Sequence, residues 1–503
     1  MIISALGLDT DVLCTDVAVI GGGATGLALA ARLERDLVVV EGGNLGHDPK
    51  SDRHFAVELQ GDRFDVARMR RRRVGGMGVD WSGRCADLNA IDFEARTGVD
   101  FSGWPISAAD LAPWYVAVRR ELGLPVGAAT ETRNELPAAG TGTELAMQSW
   151  DYALQARETP LDLARLYLPR FRERSRTLLT DAHAVRLVGD GPEIAHVELR
   201  TLAGGLLRIR AREFVLACGC IEASRLLLIS DKSAPTIVDG VSHWLGRGFH
   251  QHILLDAGQF HARGKAADIL QRTYNNIRGA RRHSHETGLR LSEARLRQAS
   301  LLNISATFRY SRGSPYAASE LLGLAARYAM GREPLFLSPA IRLEFSVEQR
   351  IVRENAVSLS TDRDVWGAPR AAVRWTTDDQ EMESVCAMSG AIADWASAQA
   401  LGQFDAIPTV ADARKRPTRE SLHHMGGTRM SSSAANGVVD ADLGVHGAAN
   451  LSIVGGSVFP TGGHVNPTLT MLALGARLAD RLNQRAGRTA PPASHSAVSE
   501  PAQ

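Results

Sequence analysis

At 503 residues the chain is too long for one compact core, so two domains are the default expectation. Its formal charge of +1, with 44% apolar and 22% charged residues, excludes a bulk electrostatic attraction to nucleic acid and leaves an ordinary globular composition. Five irregularly spaced cysteines exclude a disulfide framework. Cys218 and Cys220 form a C-x-C with no second half for a zinc site, so they read as buried thiols and no metal is expected. The first sixteen residues lack the basic start and apolar core of a signal peptide, and no apolar run approaches ~18 residues. A cytoplasmic protein without a membrane segment is the expectation.

In chain order, DVAVI at 16–20 is an apolar β-branched run, GGGATG follows at once, and LALAARLERD continues as helix. LVVVE at 37–41 is a second buried strand ending on an acid. Residues 44–73 are polar and irregular and end in four arginines, Arg70–Arg73, which read as a solvated charge run. Loops and helices are expected from about 105 to 165. Short strands return from 178 to 219, and IEASRLLLIS then leaves the last of them as a helix. The stretch from about 255 to 415 loses the βαβ rhythm and mixes amphipathic helices with strands such as AIRLEFSVEQ. NLSIVGGS at 450–457 reads as a buried strand, and PTLTMLALGARLADRLNQR as a long amphipathic helix. After it comes a Pro-, Ser- and Ala-rich tail at 488–503, expected to be disordered.

Gly21, Gly23 and Gly26 match G-x-G-x-x-G between a strand and a helix, with Glu41 ending the next strand. A tight turn, close backbone approach to a pyrophosphate and an acceptor for a ribose hydroxyl need those residues at that spacing. A glycine-rich turn in some other α/β domain is the plain alternative. The motif alone does not separate FAD from NAD, and Glu41 argues only against a 2′-phosphate. A second cluster lies near the other end, where His423 and His424 precede a Gly-Gly-Thr turn, and His464 and Asn466 precede a helix starting at Pro467. Oxidising an alcohol by hydride transfer needs a base near the hydroxyl proton, and histidine suits it. A second hydrogen-bonding group would fix the oxygen. Singly, each of these residues is more ordinarily a packing or surface group.

VIGGGATGLALAARL, RVGGMGVDW at 73–81, FVLACGCIEASRLLL at 214–228, LGRGFHQH at 245–252 and the block from His423 to Asp480 together resemble the glucose–methanol–choline (GMC) oxidoreductase family over most of the chain. That resemblance implies an α/β chain, α+β overall: a Rossmann-like FAD-binding domain with an inserted substrate domain on an antiparallel sheet. The boundaries expected are 1–104, 165–255 and 420–487 for the first, and 105–164 and 256–419 for the second. It places the catalytic histidine seven residues before Met430, at His423 rather than the adjacent His424, and its partner at Asn466. Flavin contacts fall on Gly75, Gly76, Gly78 and Trp81, the adenine-side contact on Val185, and late contacts on Gly456, Ser457 and Thr468. His424 and His464 are expected among the substrate contacts. Members that bind flavin covalently carry a histidine before the tryptophan, where this chain has Asp80, so non-covalent FAD is expected. Where members often have an acid before the histidine near 252, this chain has Gln251.

The expected reaction is therefore FAD-dependent oxidation of a CH–OH group of a sugar, polyol or sugar-containing metabolite, with His423 as base, Asn466 orienting the hydroxyl and the hydride going to flavin N5. The expected partners are a small-molecule alcohol and oxygen or another electron acceptor. Two alternatives stand beside it. One is a non-redox, hydroxynitrile-lyase-like enzyme on the same scaffold, and the other is an NAD-dependent protein, which the C-terminal block disfavours.

Overall fold

The computed structural model describes residues 1–486 apart from 47, 49–51, 53–54, 63, 67–69, 127–143, 156–158, 174, 234–242, 275–276, 279–283, 313–317 and 330–338. The tail expected at 488–503 lies outside the described residues.

The β-branched run of Val12–Ile20 and the short Leu37–Val40 strand pair in parallel, and Leu206–Leu216 flanks the first on its other side. Leu451–Ile453, from more than 200 residues later, joins Leu206–Leu216 in parallel. Arg176–Thr180 and Ile2–Ser4 extend one edge of this eight-stranded sheet, and antiparallel Glu193–Arg200 and His183–Asp190 extend the other. The register puts Val40, Ile20, Leu216 and Ile453 side by side. Glu41, Gly21, Ala217 and Val454 therefore leave the sheet together at its carboxyl edge, where parallel sheets bind ligands. Helix Ala24–Ala30 is buried from Thr25 to Ala30 and packs on the amphipathic helix Thr468–Ala486.

A nine-stranded sheet faces that edge, and all its pairings are antiparallel: Gln403–Phe404, Ile253–His261, Pro339–Val347, Ile304–Arg312, Ser284–Leu291, Leu145–Tyr152 and Arg84–Cys85 in order, with Ile277–Arg278 and Thr418–Glu420 alongside. Alternation gives its strands two faces. Leu255, Leu343, Phe345, Ala306, Phe308 and Leu289 are buried on one, which packs on helices Asp379–Ala398 and Gly264–Tyr274. Glu344, Ser346, Thr307 and Arg309 alternate with them and occupy the other.

Two sequence readings change here. Leu145–Tyr152 is a strand, in a region expected to hold only loops and helices. Its period-2 signal is blurred because polar residues on it are engaged, the buried Gln148 with His464 and Asp151 with Arg119, and the half-buried Tyr152 with Glu286. The arginine run is not solvated. The loop after it is pinned beneath the glycine turn by Gly75 N donating to Gly22 O at 2.7 Å, which draws Arg70, Arg71 and Arg72 into the wall of a cleft. There Arg70 pairs with Glu222, Arg71 with Asp80, and burial pulls the Arg72 pKa down to about 9.

Candidate active site

Between the carboxyl edge of the parallel sheet and the polar face of the antiparallel one lies a cavity of about 780 Å³, running from Gly21 and Glu41 to His423 and Asn466. At its first end Gly21 has φ 113°, open to glycine at little cost, and a Cβ there would stand 2.5 Å from Ala217 O. The half-buried Glu41 carboxylate accepts from Gly22 N at 3.0 Å and Gly43 N at 2.8 Å. Burial raises its pKa, opposed by the Gly43 amide, Arg72 and the Gly22 amide.

At the far end, the loop before Thr468–Ala486 is held by buried hydrogen bonds. Thr461 Oγ1 donates to Asp92 O (3.1 Å), Trp104 Nε1 donates to Thr461 (3.1 Å), and Ser346 Oγ donates to His464 O (3.0 Å). Behind it the buried Arg96–Glu348 pair is bidentate at 2.8 and 2.6 Å. This clamp sets Asn466, whose Nδ2 lies 3.1 Å from His423 Nε2. On the other side Leu422, with φ 64°, turns the chain into His423, a strained conformation of the kind found at functional sites. His423 Nδ1 is 2.9 Å from His252 Nδ1, and His252 Nε2 is 3.1 Å from Gly462 O.

That last contact fixes the protons. A carbonyl only accepts, so His252 carries its hydrogen on Nε2 and its lone pair on Nδ1. His423 must then donate from Nδ1, which leaves its Nε2 lone pair aimed at Asn466 and the cavity. Burial, with His252, Arg84 and His424 adding to it, holds the His423 pKa well below the usual histidine value. Burial also pulls His252 to about 4. The pair is therefore neutral at physiological pH.

Of the residues singled out from sequence, Gly21, Gly23, Glu41, Gly76, Gly78, Trp81, His423, His424, Gly456, Asn466 and Thr468 line this one cavity. Gly26, Gly75, Val185, Ser457 and His464 do not. Gly26 and Gly75 lie beneath the turn, and Val185 follows Ala182–Ala184, which do line it. His464 is buried with Nε2 on Gln148 Oε1 at 3.0 Å. The His424 ring, its pKa lowered to about 3 by burial, packs against Phe64 and Phe249. Sequence reading assigned no role to His252 or to the arginines of the antiparallel sheet. A histidine one residue past a buried glutamine at the start of a strand was the only available sign of the former.

The cavity fits an FAD. The backbone of Gly23 and Gly455 lines it, and a Cβ on either would meet nothing within 4 Å, which leaves room for close approach of a ligand to the main chain. No side chain caps Ala24–Ala30, so its first N–H groups are available to an anion, and Glu41 stands beside them. A dinucleotide fold whose cleft ends on a half-buried, neutral histidine suits a flavin-dependent oxidoreductase.

Residues 352–475 match the family model for GMC oxidoreductases. The chain is 27% identical to 6'''-hydroxyparomomycin C oxidase of Streptomyces lividus, over 91% of this chain and 89% of that one. It is 25% identical to paromamine 6'-oxidase of Streptomyces fradiae, over 92% and 90% respectively. In fold it resembles formate oxidase of Aspergillus oryzae, with TM-score 0.59 and 16% identity over 95% of this chain and 100% of that one. The chain is thus similar to the GMC oxidoreductases, most directly over residues 352–475, and is an FAD-dependent alcohol oxidoreductase. No described helix is long and apolar enough to cross a membrane.

Proposed function

We propose that this enzyme oxidises a CH–OH group of a sugar, polyol or sugar-containing metabolite, with His423 as base and Asn466 holding the hydroxyl. The observation that carries the reading is the directed chain Asn466 Nδ2–His423 Nε2, His423 Nδ1–His252 Nδ1, His252 Nε2–Gly462 O. It presents one basic nitrogen and one amide donor to the same point in the cavity. A substrate oxygen at that point gives its proton to His423 Nε2 and accepts from Asn466 Nδ2, which restrains rotation about the carbinol carbon. FAD bound here would supply, at its N5, the acceptor for the carbinol hydride. His252 is a positioning residue that keeps the proton of neutral His423 on the far nitrogen. His424, among aromatic rings, is not placed for this work. The sugar assignment is supported by the two relatives whose names denote oxidation of sugar-containing compounds.

The cofactor side comprises 1–104, 165–255 and 420–487, and the substrate side 105–164 and 256–419. Gly21, Gly23, Glu41, Gly76, Gly78, Trp81, Gly456 and Thr468 hold FAD without a covalent bond, since Asp80 occupies the linkage position and pairs with Arg71. Oxygen or another acceptor takes the electrons away.

The direct test is an anaerobic screen of sugars and polyols against the holoenzyme, following loss of the flavin absorbance. Bleaching by members of this class is expected. A holoenzyme that no alcohol bleaches would point to lyase chemistry on the same scaffold. The role of His252 is read from two variants. His252→Leu removes the acceptor for His423 Nδ1–H and should slow flavin reduction roughly 100-fold at unchanged KM and FAD content. His252→Asn puts Oδ1 where Nδ1 stood and should recover the rate to within about tenfold. Equal rates in the two variants would remove His252 from the mechanism.

A further inference from the structure

The cavity has a roof that the reaction chemistry does not use. The polar face of the antiparallel sheet carries a row of charges of alternating sign. Arg84 pairs with Glu286 at 2.8 Å, Glu286 with Arg309 at 2.8 Å, Arg309 with Glu344 at 3.0 Å, and Glu344 with Arg419. Tyr152 donates to Glu286 at 2.8 Å as well. All but Glu286 line the same cavity as His423.

The row begins and ends on arginine, so three cations face two carboxylates and one positive charge is left over. Among the described residues, Arg84 and Arg419 each have one carboxylate partner. The row is closed at one end, where Arg84 and Glu286 are 14% and 1% exposed, and more open at the arginines of the other, Arg309 at 46% and Arg419 at 64%, with Glu344 between them at 19%. The inner part is thus a fixed base, and the outer arginines still present donors to the cavity mouth. A guanidinium fork recognises a planar carboxylate through paired N–H groups; Arg309 and Arg419 each spend only Nη2 on Glu344, one on each carboxylate oxygen. The neutral histidine pair adds no charge of its own, and a substrate bearing amines would meet like charge along this face.

We propose that the alcohol oxidised here carries a carboxylate, as in a sugar acid, which binds the arginine end of this row while its hydroxyl lies at His423. The inference rests on the proposed reading of His423 for the position of the hydroxyl, and its test reads binding rather than turnover.

The holoenzyme is titrated anaerobically, at fixed ionic strength, with glucuronate, glucose, glucosamine and glucose 6-phosphate, and Kd is taken from the perturbation of the flavin spectrum. Glucuronate should bind at least tenfold more tightly than glucose, with glucosamine no tighter than glucose, and added salt should narrow the gap. Arg419 is at the rim, so its replacement spares the core. Arg419→Gln should bring the glucuronate Kd up to that of glucose, and Arg419→Glu should reverse the order in favour of glucosamine. No perturbation by any of the four, equal affinities, or a preference for glucosamine or for glucose 6-phosphate over glucuronate each overturns the proposal. His423→Ala should keep the glucuronate preference. If it keeps the preference and also bleaches at the wild-type rate, the base assignment has failed and the binding site stands.

Discussion

His423→Ala should lose about a thousandfold in the anaerobic rate of flavin reduction, while His424→Ala stays within about tenfold of wild type. The contrast follows from surroundings that differ although the residues are adjacent. His423 has both ring nitrogens engaged in a chain of fixed direction, and its basic nitrogen faces the cavity beside Asn466. The His424 ring lies among Phe64 and Phe249, and its backbone oxygen accepts from Cys220 Sγ at 2.9 Å. Truncating His424 removes aromatic packing and moves no proton. The pH profile carries a second signature. Burial lowers the His423 pKa, so the neutral, proton-accepting form persists below the ordinary histidine value of about 6.5. The reduction rate should stay level through neutral pH and fall only on the acid side of that value, as protonation removes the lone pair. His423→Ala should have no such acid limb. A full rate in His423→Ala together with a collapsed rate in His424→Ala would transfer the role to the neighbour.

How much of this was open to inspection in the sequence depended on the range of the interaction that fixes each part. The glycine turn was legible because its demands are local: a strand, a positive φ at Gly21 and an acid one strand later all lie within some 25 residues. His423 and Asn466 were legible because both flank turns in one ordered block. His252 reaches the site from a different strand, and what makes it matter is a carbonyl at Gly462, which leaves no mark in a sequence. The roof was hidden for a related reason. Arg309 and Glu344 look like the outward half of any amphipathic strand, and only the placement of the antiparallel sheet over the cofactor edge turns that half toward a cavity. Arg70–Arg73 failed in the same way, since four arginines in a row are usually solvated and here a turn folds them under the glycine loop.

The second large effect separates two glycines that one motif treats alike. Gly26→Ala should destabilise the protein whether or not FAD is present, whereas Gly23→Ala should leave the apoprotein as stable as wild type and weaken FAD binding at least tenfold. A Cβ on Gly26 would stand 1.9 Å from Gly21 O and 3.3 Å from the Ala217 Cβ. The obstructing atom is backbone at the end of a central strand, so the helix must move away from the sheet, and a loss of about 1–3 kcal/mol or more is expected. Gly23 has φ −75° and ψ −177°, which any residue adopts, and a Cβ there meets nothing within 4 Å. That space belongs to the cavity, so a methyl group in it obstructs a ligand and spares the fold. Thermal midpoints of the apoproteins, with FAD affinity measured separately by fluorescence, distinguish the two. If Gly23→Ala binds FAD as wild type does, the turn is only a packing device, and the cofactor's anionic end must be sought instead at Arg70 and Arg72, which line the same cavity.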